Sequence, residues 1–356
     1  MTKRKLSRKR KGLIALLAIS LFLLVNHIAS WALTPVIFDR IFSSESFDPS
    51  LMPGLVDYQD IEADYPRQTF TFPSNGASLQ GYFYDNPASK KCVVFSPGIS
   101  DPADGYLSME TFCYDQGYDV VSFDGYGKGK SEGKNKRGLP EAKEDLSALL
   151  SYLKKSSWSE EPLYLLGHSQ GAYASACVMR DKPANVKAVA AISGFNSAEE
   201  TVMEFARRKV SFLADLSWPY VTTYERYLFD SDSSRTAVEG LNISAIPALI
   251  AQGSEDKTIP LKSLSLYGHR TEIIDPKVTY SLFEGEQGGH SSILYSLDAL
   301  TYQKEVAADL EKKAKEKGGS LTAEELRIFY QGIDDRKYSA VNETLMASIF
   351  NLFAAN

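Results

Sequence analysis

Short apolar segments alternate with helix-like segments along most of the chain, and this alternation constrains the fold more than any other feature. Six segments have the length and composition of buried strands, namely residues 92–96, 119–124, 162–167, 186–193, 246–252 and 278–283. The clearest of the intervening helix-like stretches covers residues 140–155, with leucines on one face, acidic residues near its start and lysines at its end. Strands joined by helices run parallel within one sheet. The sequence therefore predicts an α/β fold with a mostly parallel sheet and helices on both faces.

Three segments depart from this alternation. Asn75-Gly76 separates strand-like runs at 68–73 and 79–85 and predicts a hairpin before the parallel strands. Residues 196–241 contain no good strand but many aromatic residues, so we expect a helical cap inserted between core segments 66–195 and 242–356. The region after residue 298 is longer than one closing helix requires, and it includes a capping box, Thr322 to Glu325, and a final apolar helix at 343–353. The sequence suggests no role for this extension.

The N-terminus combines a basic cluster with a long uncharged segment. Residues 1–11 contain seven Lys and Arg, and residues 12–34 contain no charged side chain. About 20 apolar residues suffice for a helix that crosses a bilayer. We expect a cytoplasmic tail at 1–11, a transmembrane helix at 12–34 and a linker at 35–65, with the body outside the cytoplasm because basic flanks stay inside. Secretion after cleavage of a signal peptide is the alternative, although the candidate cleavage site before Trp31 is poor.

Composition excludes several classes of protein. With 44% hydrophobic and 24% charged residues, the chain resembles globular rather than disordered proteins. The formal net charge is −6 despite the basic N-terminus, and an acidic body of this kind argues against nucleic acid as a partner. The three cysteines (Cys92, Cys113 and Cys177) are too few and too scattered for a disulfide framework or a metal site. We expect no metal or organic cofactor.

The segment Gly167-His168-Ser169-Gln170-Gly171 matches the pattern G-x-S-x-G. A strand-like run leads into it and helix-prone residues follow, which is the context that exposes a serine hydroxyl above the edge of a sheet. Glycines are needed there because a Cβ atom would clash within so sharp a turn. A second match at residues 129–133 is followed by a charged, loop-like stretch and lacks this context. The sequence therefore predicts Ser169 as a nucleophile.

A serine hydroxyl needs a base that takes its proton, and the chain contains only four histidines. His27 lies in the predicted membrane segment, and we expect the His168 side chain to point away from Ser169. We expect His269 to be a surface residue on a helix. His290 follows the last predicted strand through a glycine-containing loop and would reach the sheet edge, so we predict it as the base.

An imidazole that acts as a base is usually oriented by a carboxylate. Asp256 lies in the loop after the strand at 246–252 and is the preferred candidate. Its neighbour Glu255 is the first alternative and Asp275 a more distant one. Serine, aspartate and histidine then each follow a strand of their own.

Four blocks of this sequence resemble the α/β-hydrolase superfamily, in particular the branch of monoacylglycerol lipases and serine aminopeptidases. The blocks are residues 94–98, residues 124–133, the turn at Ser169, and residues 253–256 followed by 289–290. The resemblance spans about residues 66–295 and implies Ser169, Asp256 and His290 as catalytic residues. It also implies an oxyanion hole from the backbone N–H groups of Gln170 and Ile99. Relatives usually have His-Gly where this chain has Pro97-Gly98.

These features predict a membrane-anchored serine hydrolase that cleaves carboxylic esters of acyl or lipid-like type through an acyl-enzyme. A serine aminopeptidase or an acyltransferase with the same three residues is the nearest alternative, and Asp101 and Asp104 would be candidates for binding an amino terminus. A non-catalytic membrane receptor on the same fold is an alternative of another class. Residues 124–131 resemble a phosphate-binding loop, but the leading glycine is replaced by Asp124 and no helix is evident afterwards. Nucleotide hydrolysis is therefore disfavoured.

Overall fold

A single mixed sheet forms the centre of the protein in the computed structural model, which describes residues 8–43, 47–135, 137–156, 161–211 and 213–356. Within these ranges the sheet has eight strands in the order β1-β2-β4-β3-β5-β6-β7-β8. They are β1 (Gln68–Ser74), β2 (Ala77–Tyr84), β3 (Cys92–Ser96), β4 (Asp119–Phe123), β5 (Leu163–His168), β6 (Val186–Ile192), β7 (Ala248–Gly253) and β8 (Val278–Phe283). Strand β2 runs antiparallel to both of its neighbours, β1 and β4, and the other neighbouring pairs are parallel. The predicted mostly parallel sheet is confirmed, and the β1–β2 hairpin turns at Asn75-Gly76.

Helices cover both faces of this sheet, as the alternation of segments predicts. They are α1 (Arg8–Ile41), α2 (Leu107–Asp115), α3 (Glu141–Leu153), α4 (Gln170–Cys177), α5 (Ala198–Val210), α6 (Leu213–Phe229), α7 (Ala237–Ser244), α8 (Leu297–Glu316), α9 (Ala323–Tyr330), α10 (Asp335–Tyr338) and α11 (Glu343–Ala354). Apolar side chains of α3, α4 and α7 share a buried cluster with one face of the sheet. Those of α2 and α11 pack against the other face. Ser169, the nucleophile candidate, follows β5, a central strand of the sheet, and is therefore flanked by both helical layers.

Helix α1 extends well beyond the predicted membrane segment. Among the described residues it is the one helix long and apolar enough to cross a membrane, a test that a signal sequence also passes. Phe38 near its end and Phe42 just after it are both 3% exposed and join the core of the body. Leu55 and Ile61 further along are buried as well. The predicted linker over 35–65 therefore contains, in its described part, apolar side chains that are buried against the body. Most of the predicted basic tail, residues 1–7, lies outside the described residues.

The inserted region 196–241 contains α5, α6 and most of α7, and α6 packs along the outer part of α1. Tyr220 places its hydroxyl 2.9 Å from Nδ1 of His27, and its ring meets Trp31 edge-on at 6.0 Å. One helical turn further along α6, the Tyr224 ring meets Phe38 at 5.1 Å. The earlier residue of α6 meets the earlier residues of α1, and the later one meets the later one. The two helices therefore run in the same direction, and the N-terminal end of α6 lies nearer to the predicted membrane segment.

The extension after residue 298 fastens the beginning of the body. The backbone N–H groups of Gly54 and Leu55 donate to the side chains of Asp335 (3.0 Å) and Ser339 (2.8 Å). Helix α9 begins at the predicted capping box, in which the side chains of Thr322 and Glu325 bond reciprocally. The final helix α11 matches its prediction within one residue and closes one face of the sheet. The extension thus holds together segments that are far apart in sequence.

Candidate active site

Ser169 lies at a strained turn between β5 and α4. Its backbone has φ 55° and ψ −117°, a conformation that residues with a side chain rarely adopt. A Cβ atom on Gly171 would overlap the carbonyl oxygen of Ser96, and one on Gly167 would overlap the carbonyl oxygen of Gly171. The two glycines let β3, β5 and α4 approach closely enough to hold this turn. The serine side chain is consequently presented at the end of the sheet, as the motif predicts.

The structure brings together the three side chains singled out in the sequence. Ser169 Oγ lies 2.9 Å from His290 Nε2, and His290 Nδ1 lies 2.7 Å from Asp256 Oδ2. The side chain of Asp256 is fully buried and that of His290 is 16% exposed, while Ser169 is 7% exposed. Both distances are within normal hydrogen-bond range. The three groups form a continuous hydrogen-bond path from the hydroxyl through the imidazole to the buried carboxyl group.

The carboxylate of Asp256 is fixed by its own hydrogen bonds. Its Oδ1 atom accepts the backbone N–H groups of Thr258 and Ile259, both at 2.8 Å. Its Oδ2 atom, which faces His290, also accepts the side-chain amide of Gln252 at 2.9 Å. Four donors thus converge on the two carboxylate oxygens and fix their orientation. Gln252 is a site residue that sequence reasoning missed, since no local pattern links it to Asp256.

None of the alternative acids and bases lies in this arrangement. Glu255 is exposed, and Asp275 Oδ1 accepts the backbone N–H of Lys277. His269 lies in a turn, not on a helix as predicted, and its Nδ1 pairs with Glu272 at 2.8 Å. The chain around it forms a series of turns, in which a Cβ atom on Gly268 would overlap the carbonyl oxygen of Leu261.

The two backbone N–H groups predicted to form an oxyanion hole belong to Gln170, which follows Ser169, and to Ile99 in the loop after β3. Gln170 is the first residue of α4, and within the described chain its N–H, like that of Ile99, donates no hydrogen bond to the protein. The loop that carries Ile99 is close, since a Cβ on Gly98 would lie 3.6 Å from that of Ser169. Lys128 donates from Nζ to the Gly98 carbonyl oxygen at 2.8 Å and holds the loop from behind. The geometry leaves two donors available for a negatively charged oxygen.

The His168 side chain lies under the site, and within the described residues it makes no hydrogen bond to Ser169. Its Nε2 atom is 3.1 Å from the carbonyl oxygen of His290, and its Nδ1 atom is 2.9 Å from the hydroxyl of Tyr106. Burial, and secondarily the nearby His290, lower the pKa of His168 to about 3, so its imidazole is neutral. Tyr106 was not singled out in the sequence, because it comes from a different loop and carries no motif.

One of the two aspartates considered for binding an amino terminus is already paired. Asp104 Oδ1 lies 2.6 Å from NH1 of Arg67, a side chain that is only 2% exposed and stacks on the ring of Tyr58. A guanidinium so enclosed keeps its carboxylate partner in place. Asp104 is therefore part of a structural ion pair.

Comparisons with known proteins agree with this architecture. Residues 87–240 match the family model described as serine aminopeptidase, S33. A structure of the Pyrococcus furiosus esterase Pf2001 superposes with a TM-score of 0.53 at 18% identity, covering 77% of this chain and 98% of that one. The chain has the α/β-hydrolase fold. A second crystal form of the same esterase gives a TM-score of 0.52 at 17% identity, covering 77% of the hydrolase and 96% of the esterase.

A further structure, of Est1E from Butyrivibrio proteoclasticus with ferulic acid bound, has 18% identity and a TM-score of 0.49, covering 68% of the hydrolase and 98% of that chain. The comparison with curated protein sequences gives no match. The solved structures establish the fold, and the family match over residues 87–240 supports a serine hydrolase enzyme.

Proposed function

We propose that the hydrolase is a membrane-anchored esterase that uses Ser169, His290 and Asp256 to cleave carboxylic esters through an acyl-enzyme. The observation that carries this proposal is the continuous hydrogen-bond path from Ser169 Oγ through His290 to the buried Asp256 carboxylate. Ser169 has a strained backbone and lies next to two backbone N–H groups that have no hydrogen-bond acceptor among the described residues. This arrangement suits acyl transfer.

The proposed reaction proceeds in two halves. Ser169 Oγ attacks the ester carbonyl carbon while His290 Nε2 takes its proton, and the N–H groups of Gln170 and Ile99 bind the oxyanion. His290 then returns the proton to the leaving alkoxide oxygen, so that an alcohol departs and the acyl group stays on Ser169. In the second half a water molecule gives a proton to His290 and attacks the acyl carbon. The bond from the acyl carbon to Ser169 Oγ then breaks, His290 returns the proton to Oγ, and a carboxylic acid leaves. Asp256 stabilises the imidazolium that exists between these proton transfers.

Two observations favour an ester over a peptide substrate. The Arg67 pairing of Asp104 removes one of the two acidic groups that would hold a substrate amino terminus. The aromatic insert packs on the apolar helix α1, which supports proximity to a membrane and to lipid-like esters. The length of α1, its exposed apolar side chains and the basic residues at the N-terminus support anchorage through α1 with the catalytic body outside the cytoplasm.

The test compares p-nitrophenyl esters of increasing chain length with aminoacyl p-nitroanilides, using the full chain in detergent. The wild type should hydrolyse the esters faster, and Ser169→Ala should lose this activity at least about a thousandfold. Ser175→Ala is a matched control, because Ser175 is a buried serine of the same helix without a hydrogen-bond partner among the described residues. Faster anilide cleavage would favour an aminopeptidase. Absence of Ser169-dependent turnover on either class would favour a receptor without catalysis.

A further inference from the structure

Three hydrogen bonds connect the oxyanion loop to the backbone of His290 underneath the serine. The Gly98 N–H lies 3.1 Å from Tyr106 Oη, which lies 2.9 Å from His168 Nδ1, and His168 Nε2 lies 3.1 Å from the carbonyl oxygen of His290. Tyr106 and His168 are 6% and 4% exposed, so water competes little for these bonds. The series joins two groups that the proposed reaction needs at a fixed separation.

Only one assignment of protons satisfies the whole series. The His290 carbonyl oxygen can only accept, so Nε2 of His168 must carry the proton. A neutral imidazole protonated at Nε2 has a bare Nδ1, which accepts the hydroxyl proton of Tyr106. The phenol oxygen then accepts the N–H of Gly98. Burial keeps both side chains neutral, because it raises the pKa of Tyr106 above its usual range just as it lowers that of His168.

The loop around His290 needs such a support. Gly288 and Gly289 precede the histidine and contribute no side chain that would pack it in place. Gly98 must also be a glycine, since a Cβ there would lie 2.7 Å from Tyr106 Oη and displace the phenol. The ring of His168 lies 5.0 Å from that of His290, so the two histidines are in direct contact. A shift of either residue would be transmitted to the other.

We infer that Tyr106 and His168 are positioning residues that hold the His290 backbone at a fixed distance from the oxyanion loop. This inference rests on the proposed function, because it assigns His290 and the loop their roles in acyl transfer. The two residues touch neither the attacking oxygen nor the proton that moves. They keep Nε2 of His290 within hydrogen-bond reach of Ser169 Oγ while the ring changes its charge.

The first test measures ester hydrolysis by Tyr106→Phe, His168→Leu and His168→Gln. The first two should lower kcat about tenfold to a hundredfold and leave KM within about twofold, because geometry and not binding is lost. His168→Gln should recover part of the loss, since its amide N–H can still donate to the His290 carbonyl. Tyr164→Phe is the matched control, as this buried tyrosine of β5 packs against Phe353 in the same apolar cluster but takes no part in the three hydrogen bonds. Circular dichroism melts confirm that each variant is folded.

The second test reads the hydrogen bonds without any substrate. In ¹⁵N-histidine spectra of the wild type, His168 should be a neutral imidazole protonated at Nε2 from about pH 5 to about pH 8. Tyr106→Phe should weaken this tautomer preference. Protonation at Nδ1, or unchanged kcat in both Tyr106→Phe and His168→Leu, would overturn the inference. A wild type that neither cleaves esters nor reacts with a fluorophosphonate would instead reject the proposed function, while the spectra still decide on the tautomer.

Discussion

Replacement of Asp256 by asparagine should abolish ester hydrolysis through a change in the His290 tautomer. The carboxylate accepts two fixed backbone N–H groups on Oδ1, and His290 together with Gln252 on Oδ2. Asparagine offers one oxygen and one NH₂ group in the same space. If the NH₂ faced the backbone, it would meet two donors at 2.8 Å, and each unsatisfied donor costs about 1–3 kcal/mol. The oxygen will therefore face the backbone, and the NH₂ will face His290 and Gln252, whose side-chain amide can turn its unpartnered oxygen toward the NH₂.

In that orientation His290 Nδ1 must accept, so the proton moves to Nε2, which then cannot take a proton from Ser169. In serine proteases with a Ser-His-Asp triad, replacing the aspartate by asparagine costs about 10⁴ in kcat, equivalent to about 5 kcal/mol of transition-state stabilisation. We expect a loss of that order in Asp256→Asn.

The assay is steady-state hydrolysis of a p-nitrophenyl ester by purified full-length protein in detergent. The matched control is Glu255→Gln, which neutralises the adjacent exposed acid and should leave kcat within about twofold. A loss below about tenfold in Asp256→Asn would refute the tautomer reasoning. So would an equal loss in Glu255→Gln, because the carboxylate would then act through general charge.

Three further predictions concern stability, the serine turn and the anchor. Burial raises the pKa of Glu225 to about 8 from its usual 4.5, so the native state keeps a proton that the unfolded chain loses, and stability falls as the pH rises between these values. We therefore compare the free energy of unfolding of Glu225→Gln with that of wild type, by thermal or urea denaturation. The difference should shift in favour of the variant by up to about 4 kcal/mol between pH 4 and pH 8, and a difference that does not change with pH would contradict this. Gly171→Ala should abolish activity or soluble expression because its Cβ overlaps the Ser96 carbonyl, whereas Gly332→Ala, whose nearest contact is 3.4 Å, should be tolerated. The full chain should stay in the membrane fraction after alkaline carbonate extraction, and a soluble product with an N-terminus beyond about residue 30 would indicate a cleaved signal sequence.

Local patterns predicted most of the sheet because each strand is a short apolar run with its own boundary residues. The strands at 92–96 and 278–283 have the predicted bounds, and the others differ by one or two residues. The predicted strand at 246–252 begins later, at Ala248, after Pro247, which has no N–H for the ladder. The burial of Cys92 also agrees with its place in an apolar run.

The start of the body was harder to predict because its order depends on distant segments. Residues 47–65 have no sustained period, and two of their backbone N–H groups bond to Asp335 and Ser339. Phe38 and Phe42 are buried by partners that local sequence does not reveal. A polar, aperiodic segment therefore looked like a linker although the folded chain encloses part of it.

In the candidate site, too, local patterns predicted some residues, and others are recognised only from contacts in the folded chain. Ser169 follows from its motif, and His290 from elimination among four histidines. Sequence position favoured Asp256 but left Glu255 as an alternative, because the local sequence does not show which of two adjacent side chains points toward the histidine. The supporting residues Gln252, Tyr106 and His168 were missed because their importance lies in contacts between different loops.

The most direct test of the account is intact-protein mass spectrometry after reaction with a fluorophosphonate. The wild type should gain the mass of one phosphonyl group, located by peptide mapping at Ser169, and His290→Ala should react at least about a hundredfold more slowly. Ser169→Ala should gain no mass. Equal labelling of Ser169→Ala, or no labelling of an active and folded wild type, would contradict a nucleophilic role for this serine.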